Sequence, residues 1–86
     1  MAKFVLGGES FDLEKEDVLR AMKDVPPGPI RKYAVMINRE KHSIKQVVSY
    51  AVTAALRKKF TVAQFTAHDA YRVLKKLGFS ILVEKL

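Results

Sequence analysis

The chain has 86 residues, 49% hydrophobic and 29% charged, with no cysteine. That is one small domain (1–86) with material for a core, and it excludes disulfides, thiolate chemistry and a cysteine-ligated zinc. The net charge of +7 is unevenly placed: residues 1–24 hold four bases and six acids, whereas residues 25–86 hold twelve bases and three acids. Such an excess bears on partners rather than on fold, and it favours phosphate-rich polymers, acidic proteins or anionic surfaces.

Lys3 to Leu6 reads as a strand, Gly7-Gly8 as a turn, and Glu9 to Phe11 as the returning arm of a hairpin. Asp12 is placed to cap a helix, with Glu14, Glu16 and Asp17 in a first turn that favours acids. Val18, Ala21, Met22 and Val25 follow helical spacing, and the Val25-Pro26-Pro27-Gly28-Pro29 run is expected to end that helix. Lys32 to Asn38 alternates as a strand. A tight turn at Asn38-Arg39 leads to a short arm, Glu40 to His42.

Ser43-Ile44-Lys45-Gln46 matches a capping box, and Ile44, Val47, Val48, Ala51 and Ala55 continue at helical spacing to Leu56. Phe60 to Phe65 reads as a loop. Thr66-Ala67-His68-Asp69 is a second capping box, opening a helix over 67–77 with Ala70, Val73, Leu74 and Leu77 on one face. Gly78 stands where a left-handed cap belongs, and Phe79 to Glu84 closes as a strand paired with the Lys32–Asn38 strand. The expected fold is α+β: a small antiparallel sheet, made of the hairpins plus the C-terminal strand, covered by about three helices.

No catalytic constellation stands out. His42 and His68 lie on separate elements, and neighbouring helical residues such as His68 and Asp69 point in different directions. Glu14, Glu16 and Asp17 are explained by helix-start electrostatics, so no metal and no cofactor is expected. A P-loop and the RNP and zinc-finger patterns are missing. The longest uncharged stretch, Gln46 to Leu56, is far short of the roughly 20 residues that span a bilayer. The first six residues lack the features of a signal peptide, which points to a cytoplasmic protein with no membrane partner.

The cations are more informative. Arg72, Lys75 and Lys76 lie opposite the apolar face of the last helix, with His68 one turn earlier. Arg57-Lys58-Lys59 follows the preceding helix, and Lys45 sits beside Ser43. A cationic helix face plus a cationic loop is the footprint of a nucleic-acid binder. The same residues also complement helix C-termini, which is the plainer explanation. Tyr50 and Tyr71 offer rings for base stacking, although half-buried core positions explain both.

The run Arg31-Lys32-Tyr33-Ala34-Val35, the helix start Ile44-Lys45-Gln46-Val47-Val48, Phe65-Thr66 and the segment Ala70 to Phe79 together form a pattern. It resembles the small N-terminal head of McrA-like HNH modification-dependent restriction endonucleases and related free-standing small prokaryotic proteins. A glycine usual in the turn is replaced by Asn38-Arg39-Glu40, and a usual Tyr-Pro by His42-Ser43. The resemblance implies a shared fold and a DNA-associated setting, without a nuclease site. The expected function is therefore a non-enzymatic module binding nucleic acid, double-stranded DNA first. Its phosphate contacts would be Lys45, Arg57, Lys58, Lys59, His68, Arg72, Lys75 and Lys76. The alternative is an interaction module whose basic face docks an acidic protein such as a nuclease. About six neutralised phosphates would give a slope of log affinity against log salt near −5.

Overall fold

Alternation builds the first two strands of the computed structural model, which describes residues 2–30 and 32–83. Phe4 and Leu6 on β1 (Ala2–Leu6) and Phe11 and Leu13 on β2 (Glu9–Leu13) turn inward, while Lys3, Val5, Ser10 and Asp12 face out. The strands pair antiparallel, Phe4 opposite Phe11. At the turn, Gly7 has φ +52°, and a Cβ there would stand 2.8 Å from the carbonyl oxygen of Gln64. Only glycine meets both demands.

β2 runs two residues further than its sequence pattern suggests, because Leu13 continues the Phe11 alternation into the core and pairs with Ala2. Asp12 is thus a strand residue and not the helix cap. Glu14 takes that position, its backbone N–H donating to Asp17 Oδ2 at 2.9 Å. The helix it opens, α1 (Lys15–Ala21), buries Val18 and stops before the prolines. Asp24, at φ 63°, turns the chain, and Val25–Pro29 is the connector beyond that stop rather than its cause.

β3 (Tyr33–Ile37) and β4 (Glu40–Ser43) form the second hairpin. Asn38 and Arg39 both have positive φ, the twist that a two-residue turn requires. β5 (Ile81–Val83) pairs antiparallel with the other edge of β3, as expected from the need to satisfy a terminal strand's backbone, giving the order β4-β3-β5. The expected final strand is shorter at its start because the Phe79 N–H is already bonded to the Leu74 carbonyl. Its residue 84 lies outside the described residues. The β1–β2 hairpin stays a separate two-stranded sheet, so the fold is α+β with two small antiparallel sheets and three helices.

α2 (Ile44–Leu56) is the central element and packs on α1, α3 and strands of both sheets. Ile44, Val47, Val48, Ala51 and Val52 form its buried face. Burying a side chain of this kind contributes roughly 1.5–3 kcal/mol. Arg57 ends it in the left-handed conformation. The loop that follows contains a short 3₁₀ turn, Val62–Gln64, and sends Phe60 and Phe65 into the core as a stacked pair 5.4 Å apart. α3 (Ala67–Lys76) buries Ala70, Val73 and Leu74 and stops at Gly78, whose φ of +97° matches its expected capping role.

Candidate nucleic-acid interface

The outer face of α3 follows from its apolar pattern. With Ala70, Val73 and Leu74 buried, a 100° step per residue sends His68, Arg72, Lys75 and Lys76 to the opposite side, and all four are exposed. The start of this helix is closed by its own side chains. The Thr66 N–H donates to Asp69 Oδ2 at 3.0 Å, and the Asp69 N–H donates to Thr66 Oγ1 at 3.1 Å. The backbone hydrogen bond from Thr66, helped by the Thr66 hydroxyl and the Arg72 guanidinium and opposed by slight burial, holds the Asp69 carboxyl below its ordinary value of 3.8. Arg72 reaches Asp69 Oδ1 at 3.0 Å, so one cation of the stripe shares its charge with an acid.

Beside this face runs β1. A groove of about 280 Å³ between the two is lined by Lys3, Phe4, Val5, Asp69, Arg72 and Lys76, among others. The Lys76 ammonium lies 5.5 Å from the centroid of the Phe4 ring. Lys3 therefore joins the stripe. Strand alternation places it outside, but nothing in the sequence says that β1 lies along α3.

The same hairpin carries the surface to the second cluster. Its turn abuts Gln64 through Gly7, and Glu9, which pairs with Leu6, accepts from Lys58 Nζ at 2.6 Å. Arg57 and Lys59 are exposed on either side of Lys58. Arg57, Lys58, Lys59, Arg72 and Lys76 are thus linked by one hairpin, with His68 and Lys75 on the same helix face. Exposed ion pairs such as Lys58–Glu9 and Arg72–Asp69 are worth about 0–1 kcal/mol to the fold, but each sets one acid against a cation of this surface.

Lys45 stands apart. It is half-buried at the start of α2, its ammonium 5.5 Å from the centroid of Phe65. The capping box expected there does not form: Ser43 is the N-cap residue, but its hydroxyl makes no cap bond. Gln46 is engaged elsewhere. Its Oε1 accepts from the Gly28 N–H at 3.4 Å, its Nε2 donates to the Pro26 carbonyl at 3.2 Å, and the Oε1 lies 3.2 Å from His42 Nδ1. This explains why His42 can be buried, and why the connector lies against α2.

The first turn of α2 opens onto a groove of about 570 Å³, bounded by Gly28 and Pro29, Lys32 and Tyr33, Ser49 and Tyr50, and Val62 and Ala67. Tyr50, read from sequence as half-buried, is 46% exposed here. Tyr71 is half-buried as expected, edge-on to Tyr33 at 5.5 Å. Lys32 lies over Tyr33 at 5.2 Å. The groove joins residues 28–29, 32–33, 43–50 and 62–67, so no single stretch of sequence announces it.

Among the described residues, no group of three or more His, Cys, Asp or Glu is placed to hold a metal ion, and no helix is long and apolar enough to cross a membrane. His42 is buried on β4 and His68 exposed on α3. The SCO5918-like family model matches residues 2–85, nearly the whole chain, and the protein belongs to this family. Neither the curated proteins nor the solved structures contain a match to it.

Proposed function

We propose that this member of the SCO5918-like family is a non-enzymatic DNA-binding module that holds the phosphate backbone of a duplex. Its contacts are the outer face of α3 and the Arg57–Lys59 loop. The observation that carries this reading is the continuity of the two clusters along the β1–β2 hairpin, which adds Lys3 to them. Lys45 lines the groove at the start of α2 instead. Phosphate contacts of this kind position a protein on a duplex without reading its sequence. The resemblance to the McrA-like head modules implies the same DNA-associated setting.

Asp69 and Glu9 each offset one cation. About four to five neutralised phosphates then give a log–log salt slope near −4. Fluorescence anisotropy with a labelled 20-base-pair duplex at two salt concentrations tests this, with the Arg72→Ala/Lys75→Ala/Lys76→Ala triple variant alongside. The expected result is salt-sensitive binding that the triple variant loses. No binding at low salt, or binding unchanged in the variant, overturns the reading. Capture of an acidic protein that survives nuclease treatment and high salt would replace it with a protein-docking role.

A further inference from the structure

We infer that the groove at the start of α2 is a site for single-stranded nucleic acid, taking one unstacked base on Tyr50 and the flanking phosphates on Lys32 and Lys45. At about 570 Å³ it falls in the size range of small-molecule sites and holds a nucleotide. Two of the large apolar side chains that the fold leaves exposed, Tyr50 (46%) and Val62 (47%), both line it. Among the described residues, its charged lining residues are Lys32 and Lys45, and none that lines it is a carboxylate. This distinguishes it from the α3 face, where Arg72 is paired with Asp69. Here each ammonium rests over a ring, Lys32 on Tyr33 and Lys45 on Phe65, which places the charge without neutralising it.

The pairing of an exposed aromatic ring with cations that no described carboxylate meets suits a polymer in which every unit carries a π-face and an anion. An acidic peptide would use the lysines and leave the Tyr50 face idle. Ala67, which lines the groove, immediately precedes His68, where the α3 stripe begins. A strand leaving the groove meets those cations next. This inference rests on the nucleic-acid reading above only in that continuity.

The test is anisotropy of a labelled 12-nucleotide oligo(dT). Tyrosine emission gives a second readout, since the chain has three tyrosines and no tryptophan. Expected is saturable binding that quenches tyrosine emission. Tyr50→Ala should weaken it about tenfold, the loss of one stacked base, while Tyr50→Phe restores it. Lys45→Ala should make the salt slope shallower by about 0.7. Unchanged thermal melting of Tyr50→Ala controls for folding, and Tyr50→Phe serves the same purpose through rescue.

Oligo(dT) binding that ignores Tyr50, or equal binding of a poly-glutamate peptide, overturns the inference. If the duplex binds through α3 while oligo(dT) does not bind, the groove assignment fails alone. If oligo(dT) binds through Tyr50 while the α3 triple variant leaves duplex binding intact, the duplex reading fails and the groove stands.

Discussion

The starts of α2 and α3 carry the same kind of sequence signal and are built in opposite ways. At α3, Thr66 and Asp69 satisfy each other, and an acid sits in the first turn. At α2, the Ser43 hydroxyl makes no cap bond, no acid is present, and Gln46 has been drawn away to the connector and His42. One helix start is sealed locally. The other ties down a distant segment and leaves its first turn facing a groove lined by two lysines. A capping motif in sequence thus states what the side chains can do, and the tertiary neighbours decide which bond is made.

This contrast can be broken at either end. The largest expected effect is at the sealed start: Thr66→Ala/Asp69→Ala should lower unfolding free energy by about 2 kcal/mol in urea titrations, from loss of both cap bonds. Gln46→Ala should cost about 1–2 kcal/mol by the same measurement, because it leaves the buried His42 Nδ1 without its partner and unties Gly28 and Pro26 from α2. It should also speed hydrogen exchange at Gly28, which no change at Thr66 should do.

Asp69→Asn keeps an acceptor at the cap and removes the acid from the cationic face. Duplex affinity should rise by up to about tenfold at 0.1 M salt as Arg72 is released. The same substitution probes acid stability. Because folding lowers the Asp69 pKa, its ionised form stabilises the fold above the ordinary carboxyl range, and that contribution disappears as pH falls from about 4 through the depressed value. The melting-temperature gap between wild type and Asp69→Asn should therefore close in strong acid. The smallest effect belongs to Ser43→Ala. It should change stability by less than about 0.5 kcal/mol, well below an ordinary cap deletion.

Much of the architecture was legible in the chain. The bounds of α2 follow from Ser43 and the apolar spacing through Leu56, and Gly78 marks the end of α3. The pairing of β5 with β3 follows from the need to satisfy a terminal strand. Asp12 misled because local helix-start chemistry was weighed above the Phe11/Leu13 alternation, and the buried side chain prevailed. The prolines misled because the backbone had already turned at Asp24. On the surface, the α3 stripe was readable from periodicity alone. The partners that modify it were not, since Glu9 reaches Lys58 across 49 positions and Lys3 meets Arg72 and Lys76 only through the docking of a hairpin. Tyr50 was read as core because helical spacing locates a face without saying how far its neighbours extend over it.

Under the proposed DNA-binding function, the glycine at position 7 bears on affinity as well as on packing. Because the hairpin turn sits hard against Gln64, the interval between the α3 cations and the Arg57–Lys59 loop is set when the chain folds. Two charge clusters on independent tethers would have to be brought to a common spacing at each encounter with a polyanion, at an entropic cost. Here the spacing exists beforehand, so under the proposed function the chain would meet a polyanion as a ruler with the marks already cut.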